Sequence, residues 1–283
     1  PVRRDGVMVA SGSVKDVTTS DLARFMVGHD VRTEKLGSGA QRGEERLSLR
    51  GLTQEPHFRN IDLTAYAGEV LGVTGLLGDG RSELFSAVFG AEPMSAGEIR
   101  LCGQAVRITS TRQAKRLGIA YVPRNRKENG IIKDMSILEN GTIVSWPDLM
   151  RRGLLNHEKQ RAEFNEEKAA LHIKMGGEND SITSLSGGNQ QKVVLAKWLS
   201  REPKVLILDN PTQGVDVGAK EEIYDIILKL AKEGVSVIVL SSEAQEIIRV
   251  CDRALVMYHG EIVGEVSGET MTEHEIMRLA TGG

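Results

Sequence analysis

The apolar residues of the chain follow two patterns that alternate along its length. Mostly apolar runs of strand length occur at residues 70–73, 118–122, 205–208, 235–240 and 254–257. Stretches that favour helices lie between these runs, at residues 83–89, 111–117, 187–199 and 221–232. Buried strands that alternate with helices are typical of a parallel sheet covered by helices. The pattern therefore predicts an α/β fold.

Two parts of the chain depart from this alternation. Antiparallel strands with one exposed face are predicted at residues 47–50 and 61–65, followed by a second small β unit at 98–106. Residues 134–185 are mainly helical in character. Ser136 begins a capping box, and Asn156 caps a charged helix that extends to about residue 174. We therefore expect an antiparallel β subdomain and a helical insert beside the parallel sheet.

The first residues of the chain resemble its last residues without a gap. Residues 6–10 align with 260–264, and residues 18–25 align with 272–279, both at an offset of 254. Both copies predict a strand, a turn, a second strand and a short helix capped by threonine. Chance similarity of two short units is the alternative. The constant register favours a duplication, with residues 1–28 as the C-terminal remnant of a preceding domain.

The segment after this remnant separates it from the main domain. Residues 29–46 are polar and charged, contain glycines and show no periodicity, which is typical of a linker. We expect the domain itself to span residues 47–283, with the helical insert at about 134–185.

Composition excludes several classes of function. The chain has 283 residues, of which 40% are hydrophobic and 27% charged, as in ordinary globular proteins. A formal net charge of −3, without a block of basic residues, gives no general attraction for nucleic acid. The two cysteines, Cys102 and Cys251, are far apart, so neither a disulfide framework nor a zinc site is expected. No apolar run approaches the roughly 20 residues of a membrane-spanning helix.

The first run ends in a glycine-rich loop with phosphate-binding chemistry. Residues 75–82 fit the spacing G-x-x-x-x-G-K-[ST], with Arg81 in place of lysine. In such a loop, backbone N–H groups and a helix N-terminus converge on phosphates, and the Ser82 hydroxyl is placed to hold Mg²⁺. A plain glycine-rich turn is one alternative. A dinucleotide fingerprint is disfavoured because Glu83 stands where its third glycine belongs. The candidate ligand residues are Gly75, Gly78, Asp79, Gly80, Arg81, Ser82 and Glu83.

Further motifs follow this loop in a fixed order. The sequence LSGGNQQK spans residues 185–192, and an apolar strand ends at Asp209 about twenty residues later, followed by Asn210. In this order the motifs resemble the ATP-binding domain of an ABC transporter, over essentially the whole chain. The best match is the second ATP-binding half of tandem monosaccharide importers of the ribose, galactose and xylose type.

The resemblance implies a fold, cofactors and site residues. The implied fold is the ABC ATPase fold: a P-loop core with a parallel sheet, an antiparallel β subdomain and a helical insert. ATP and Mg²⁺ are the implied cofactors, with Mg²⁺ held by Ser82 and Asp209. The signature residues of such a domain serve the γ-phosphate of ATP bound on the partner half, not their own loop. Here the residues implied to contact nucleotide in this way are Ser186, Gly187, Gly188, Gln190 and Asp216.

The resemblance also implies partners. They are the preceding ATP-binding half of the same polypeptide, integral membrane permease subunits and, indirectly, a sugar-binding protein, without nucleic acid. The implied location is peripheral, on the cytoplasmic face of the cell membrane. The permease is expected to dock in the cleft between the core and the helical insert, along residues 124–139.

Four positions depart from the family pattern where the γ-phosphate binds. Arg81 replaces the loop lysine, and Arg124 stands where the family has glutamine or an acidic residue. Asn210 replaces the glutamate that polarises water, and Ser242 replaces a histidine. Loss of a general base lowers rates by about 10²–10⁴-fold. We therefore expect this half to bind ATP and Mg²⁺ but to hydrolyse ATP weakly. The aromatic residue that stacks on adenine is not evident, and His57 or Phe58 is the candidate substitute.

Two other functions compete with a transporter subunit. One is a regulatory nucleotide-binding module. The other is a soluble tandem ABC protein that acts on ribosomes or nucleic acid, for which a long charged arm between domains is expected. The short segment 29–46 and the net charge of −3 disfavour the second alternative.

Overall fold

The computed structural model describes residues 2–4, 7–11, 13, 17, 35–39 and 41–283. Its strands are β1 Val2–Arg4, β2 Val7–Ala10, β3 Glu45–Gln54, β4 Phe58–Tyr66, β5 Val70–Gly75, β6 Ala96–Leu101, β7 Gln104–Val106, β8 Ile119–Val122, β9 Met150–Arg151, β10 Leu154–Leu155, β11 Val205–Asp209, β12 Ser236–Ser241, β13 Arg253–Tyr258 and β14 Glu261–Ser267. Its α-helices are α1 Arg81–Val88, α2 Thr111–Leu117, α3 Ile137–Thr142, α4 Trp146–Leu149, α5 His157–Ala170, α6 Gly187–Leu199, α7 Val217–Lys232, α8 Ala244–Val250 and α9 Glu273–Ala280. Shorter turns are a π-helical turn at Arg126–Gly130 and 3-10 turns at Ile182–Ser184 and Gly268–Thr270.

The central sheet has the strand order β14, β13, β5, β12, β11, β8. Its strands pair in parallel, apart from the antiparallel pair of β13 and β14. This arrangement confirms the α/β fold with a parallel sheet. The carboxyl ends of β5, β8 and β11 lie at the same edge of the sheet, which is where ligands bind in open α/β sheets.

Both faces of the central sheet are buried. Every residue of β5, β11 and β12 is buried. Alternate residues of β12 belong to different apolar clusters: Val237 and Val239 pack on one face, and Ile238 and Leu240 on the other. Continuous apolar runs in the sequence therefore reflect strands covered on both sides.

A second sheet and a helical region, residues 134–185, flank the core. The antiparallel sheet has the order β4, β3, β6, β7. In the helical region, the Ser136 hydroxyl accepts from the Glu139 N–H at 3.2 Å and the Glu139 carboxylate accepts from the Ser136 N–H at 2.8 Å, which forms the predicted capping box. The region also contains the short hairpin β9–β10. Helix α5 ends four residues before the predicted position, because His172 adopts a left-handed conformation (φ 51°).

The hairpin β1–β2 has the same strand pairing as the hairpin β13–β14. Each hairpin also has one register irregularity, at equivalent positions. The repeat seen in the sequence therefore extends to the backbone. The helix expected at residues 18–25 lies outside the described residues. The matching pairs are Val2–Ala10, Arg3–Met8 and Arg4–Val7 in the first hairpin, and Val256–Gly264, Met257–Ile262 and Tyr258–Glu261 in the second.

The segment expected to be a linker contacts the main domain where it is described. Residues 35–39 and 41–43 contain neither helix nor strand. The Leu36 N–H donates to the Arg249 carbonyl at 2.8 Å, and the N–H and hydroxyl of Ser38 both donate to Asp252 at 3.0 Å. The second carboxylate oxygen of Asp252 accepts from the N–H of Val70 at 2.8 Å. Asp252 thus joins this segment to the start of β5.

A buried lysine in helix α6 contacts the turn at Arg126–Gly130. The ammonium group of Lys197, in the last turn of α6, donates to the carbonyl of Gly130, and only 9% of the residue is exposed. Burial lowers the pKa of Lys197 to about 8. The unfolded chain therefore binds this proton more tightly than the folded chain, which lowers the free energy of unfolding at neutral pH.

The cost of burying the Lys197 charge is expected to disappear as the lysine deprotonates. Relative to Lys197→Met, the free energy of unfolding of the unmodified chain should rise by about 1 kcal/mol between pH 7 and pH 9. Urea unfolding at several pH values measures this difference. Lys204→Met, at an exposed lysine, is the control. Parallel pH curves for the unmodified chain and Lys197→Met would contradict the assignment.

Candidate nucleotide site

The glycine-rich loop connects β5 to α1 at the carboxyl edge of the central sheet. Helix α1 begins at Arg81, two residues before the predicted helical stretch, after Gly80 in a left-handed conformation (φ 93°). A Cβ atom at Gly80 would lie 2.2 Å from the carbonyl oxygen of His57. Close approach of the turn between β3 and β4 therefore requires glycine at this position. The motif has the strand–loop–helix context that phosphate binding requires.

The side chain of Arg81 folds back into its own loop. Only 3% of Arg81 is exposed. Its guanidinium donates to the Asp79 carboxylate at 2.5 Å and to the carbonyls of Gly75 at 3.0 Å and Leu76 at 3.3 Å. These bonds hold the Arg81 charge within the loop.

Asp79 places a carboxylate inside the same loop. One of its oxygens accepts from the backbone N–H of Arg81 at 3.1 Å, a donor of the type that binds phosphates. The other lies 2.2 Å from the position of a Cβ atom at Gly75. Burial raises the pKa of the Asp79 carboxyl, and the neighbouring Arg81 offsets only part of that rise. The loop therefore carries an acidic side chain on a backbone N–H of the kind that binds phosphates.

The loop opens into a cavity of about 350 Å³. Ser82 and Asp209, the two residues proposed from sequence as Mg²⁺ ligands, both line it. Mg²⁺ prefers oxygen ligands and is usually bound by one or two carboxylates together with waters and substrate phosphates. The hydroxyl and carboxylate present here fit that ion. The other sequence-predicted residues in the lining are Gly78, Asp79, Arg81, Glu83 and Arg124.

Two hydrogen bonds orient the Asp209 carboxylate. The side-chain amide of Asn210 donates to one oxygen at 2.7 Å, and the Tyr121 hydroxyl donates to the other at 3.1 Å. Burial and the Asp209 charge raise the pKa of Tyr121, so its hydroxyl remains a donor at neutral pH. The Ser242 N–H is 3.5 Å from the Asn210 amide oxygen. Asn210 and Ser242 thus lie beside Asp209 but outside the lining of the cavity.

A neighbouring cavity of about 380 Å³ extends the site along α1. It shares Ser82, Glu83 and Ser86 with the first cavity, and His57 contributes to its lining. Phe58, the other candidate for adenine stacking, is only 1% exposed and packs in the core. Of the two candidates, only His57 is accessible to a ligand.

The signature residues lie at the N-terminus of α6, away from the lining of both cavities. The Ser186 hydroxyl caps this helix by accepting from the Asn189 N–H at 3.4 Å. A Cβ atom at Gly187 would lie 2.7 Å from the Arg126 guanidinium. The Gln190 amide donates back to the Leu185 carbonyl at 3.0 Å. None of these signature residues therefore lines either cavity.

The loop after Asp209 packs against this signature helix. A Cβ atom at Gly188 would lie 2.3 Å from the Cβ of Ala219, in α7. Asp216 caps α7 by accepting from the Ala219 N–H at 3.0 Å. This cap explains why α7 begins at Val217, four residues before the predicted start. The close contact of Gly188 with Ala219 thus holds the signature beside the capped start of α7.

Sequence reasoning missed residues that the fold brings to the site. Tyr121 lies at the end of β8, and its strand position gave no indication that its hydroxyl reaches Asp209. Arg126 is 7% exposed and donates to the carbonyls of Gln213 at 2.8 Å and Gly214 at 3.0 Å. Its position two residues after Arg124 resembled that of a solvated charge. The remaining unpredicted residues in the cavity are Ser86, Pro123, Asn125 and Asn129.

By sequence, the chain is similar to ATP-binding proteins of importers. The family model described as ABC transporter matches residues 58–213. A ribose import ATP-binding protein of Rhizobium meliloti is 43% identical over 284 residues, covering 99% of this chain and 55% of that protein. A galactose/methyl galactoside import ATP-binding protein of Treponema pallidum is 41% identical, covering 99% of this chain and 57% of that protein. The chain spans about half the length of these relatives.

By fold, the chain is similar to solved ATP-binding cassettes. A nucleotide-free cassette from an ABC transporter has a TM-score of 0.70 and 19% identity, covering 82% of this chain and 95% of that one. Another such cassette, in its ADP conformation, has a TM-score of 0.71 and 18% identity, covering 84% and 99%. The fold implied by the sequence motifs is confirmed.

Proposed function

This chain belongs to the ABC transporter family of ATP-binding domains, and from that premise we propose that it is the second, weakly hydrolytic ATP-binding half of a tandem sugar importer. The observation that carries the proposal is the placement of two motifs. Ser82 and Asp209 share one cavity, whereas the intact signature at the start of α6 lies outside its lining. One half therefore binds MgATP in its own cavity and presents its signature to a partner.

The cavity residues account for nucleotide binding. Backbone N–H groups of the loop and the N-terminus of α1 receive the phosphates. The hydroxyl of Ser82 and the carboxylate of Asp209 would hold Mg²⁺, which neutralises phosphate charge when bound. The base would then lie in the cavity lined by His57.

The residues around Asp209 account for weak hydrolysis. A water that attacks ATP needs a group that accepts its proton, and the amide of Asn210 cannot do this. That amide is instead bonded to Asp209 at 2.7 Å. Ser242 offers no imidazole at the neighbouring position. Neither of these two neighbours of Asp209 therefore serves as a general base.

The N-terminal hairpin supports a preceding ATP-binding half. The β1–β2 hairpin repeats the strand pairing and the irregularity of β13–β14, which close the present domain. Relatives about twice as long as the chain leave room for another domain of this size. We propose that residues 1–28 close that first domain and that 29–46 connect the two. The contacts of Leu36 and Ser38 fix the end of this connection to the second domain.

The signature is proposed to complete the hydrolytic site of the preceding half. The Ser186 hydroxyl and the free N–H groups at the start of α6 form an anion-binding end of a helix. They would contact the γ-phosphate of ATP on that half. Gly187, Gly188, Gln190 and Asp216 shape this surface through their packing against Arg126, Leu185 and α7.

Sugar import is proposed from the names of the relatives. Ribose and galactose import ATP-binding proteins match nearly the whole chain. None of the helices in the described part of the chain is long and apolar enough to cross a membrane. We propose that separate permease subunits carry the sugar, with this chain on the cytoplasmic face of the membrane and a sugar-binding protein as an indirect partner.

A cleft between the core and the helical region is the proposed permease site. It has a volume of about 620 Å³, and none of its lining comes from residues 124–139, where the sequence led us to expect docking. Ile131 in that segment is only 7% exposed. The cleft carries five cationic side chains against the carboxylates of Asp148 and Glu202, which favours an acidic permease segment. The cationic residues are Arg112, Lys115, Arg116, Arg201 and Lys204.

Binding and turnover measurements test this function. We expect the purified chain to bind MgATP with negligible turnover. In the complete polypeptide assembled with its permease, Asn210→Glu is expected to raise turnover at this site by about 10²-fold, because it supplies the missing base. Asn210→Gln, which adds the same length without the charge, is the control. Turnover at this site is measured in a complete polypeptide in which the hydrolytic site of the other half has been inactivated.

Three results would contradict the proposal. Absence of MgATP binding would remove the nucleotide-binding role altogether. Strong turnover by the unmodified chain alone would exclude weak hydrolysis. Normal nucleotide binding without any association with permease subunits would favour a regulatory module instead.

A further inference from the structure

The Asp209 carboxylate accepts a hydrogen bond from a different residue on each of its two oxygens. The Tyr121 hydroxyl donates to Oδ2 at 3.1 Å, and the side-chain amide of Asn210 donates to Oδ1 at 2.7 Å. Only 2% of Asp209 is exposed, so water competes little for these bonds. Two protein groups therefore set the orientation of this carboxylate before a cation binds.

The Asn210 amide is oriented so that its NH₂ group faces Asp209. Its oxygen accepts from the Ser242 N–H at 3.5 Å, which leaves the NH₂ group for the carboxylate. Asn210 adopts a left-handed conformation (φ 47°), which asparagine tolerates better than most residues. Glutamate, which the family pattern has at this position, only accepts hydrogen bonds when ionised and could not donate to Asp209. The substitution that removes the general base thus adds a donor beside the carboxylate.

The Tyr121 hydroxyl is held in place by the packing of its ring. The ring stacks on Phe89, which follows α1, with centroids 5.5 Å apart and planes inclined at 22°. Phe89 in turn packs against Trp198 of α6, with centroids 5.6 Å apart and planes nearly perpendicular. Replacement of Tyr121 by phenylalanine would keep both ring contacts and remove only the hydroxyl. The donor to Asp209 can therefore be deleted without a cavity in the core.

We propose that Tyr121 and Asn210 are positioning residues that hold Asp209 for Mg²⁺ and make the site select Mg²⁺ over Ca²⁺, an inference that rests on the proposed function. Mg²⁺ requires nearly ideal octahedral geometry, whereas Ca²⁺ accepts flexible geometry and carboxylates that bind through one or both oxygens. A carboxylate held by a donor on each oxygen suits the first ion, and a carboxylate that can turn suits the second. Loss of a hydrogen bond to a ligating carboxylate typically lowers metal affinity by about 10–100-fold.

Calorimetric titration of the purified chain with MgATP, with CaATP and with ATP in EDTA tests the inference. Tyr121→Phe is expected to weaken MgATP binding by about tenfold. The affinity for CaATP should fall by less than about threefold, and the affinity for ATP without metal should not change. Asn210→Gly, which allows the left-handed conformation but removes the donor, should have the same selective effect. Tyr66→Phe is the matched control, since Tyr66 lies outside the lining of both cavities.

Comparison of the three ligands separates the role of the two donors from nucleotide binding itself. A loss of MgATP affinity that exceeds the loss of CaATP affinity in both variants, with Tyr66→Phe unchanged, supports the inference. Equal losses for MgATP and CaATP, or no loss, would overturn it while leaving nucleotide binding intact. An unmodified chain that binds ATP equally with and without Mg²⁺ would overturn it as well. If the unmodified chain binds no nucleotide, the proposed function fails and this inference fails with it.

Discussion

Asp79→Asn is expected to raise the affinity of the chain for MgATP by about tenfold or more. Asp79 puts a negative charge among the N–H groups of the loop, and its carboxylate occupies the backbone donor of Arg81 at 3.1 Å. A like charge within about 5 Å of a phosphate costs several kcal/mol at an effective dielectric constant of about 20, of which pairing with Arg81 offsets a part. Asparagine keeps the acceptor for that N–H but removes the charge. It also releases the Arg81 guanidinium towards the phosphates.

Calorimetric titration with MgATP measures the change, and thermal unfolding shows whether the loop remains folded. Asp134→Asn, at an exposed acid outside the cavity, is the control for a general change in net charge. An unchanged or weaker affinity in a stable Asp79→Asn variant would show that the carboxylate supports the loop more than it repels phosphate.

Under the proposed function, Gly188→Ala is expected to lower turnover at the partner half by at least about 10²-fold. The added Cβ would lie 2.3 Å from the Cβ of Ala219, so α6 and α7 must separate at the start of α6. Overpacking of this kind costs about 1–3 kcal/mol. A displacement of about 1 Å at a group that positions a reacting phosphate lowers rates by about 10²-fold. The MgATP affinity of the cavity beside Ser82 and Asp209 should not change, because Gly188 does not line that cavity.

The double variant Gly188→Ala/Ala219→Gly is the matched test. It moves the methyl group from one helix to the other and removes the clash, so turnover of the complete polypeptide and the midpoint of thermal unfolding should both recover. A double variant as inactive as Gly188→Ala would show that the alanine side chain itself, and not its contact with α7, disturbs the partner site.

Elements with strong local signals were predictable from the sequence. The strand at Val205–Asp209 is apolar up to its last residue because it is covered on both faces, and the caps at Ser136 and Asn156 are local hydrogen bonds. Such features depend on neighbours within a few residues. Sequence patterns therefore located the sheet and most helix starts.

Features that depend on side-chain direction were not predictable. Arg81 matched a motif position, yet its guanidinium turns to Asp79 because an acid happens to stand two residues away. His57 and Phe58 were equivalent candidates until the core enclosed Phe58. The hydrogen bonds of Arg126 to the loop after Asp209 cross 87 and 88 residues of chain. Only the assembled fold distinguishes these cases.

The hairpin β1–β2 has a practical consequence for handling the chain. In its counterpart, β13 pairs with β5 on the side away from β14, whereas β1 has β2 as its strand neighbour within the described residues. Among the described residues, the outer edge of β1 therefore has no strand partner, and Met8 in β2 is 59% exposed. Free edges of this kind recruit strands from other molecules. A preparation that begins at Lys35 would keep the contacts of Leu36 and Ser38 and lose the edge, and should resist self-association during concentration and crystallisation.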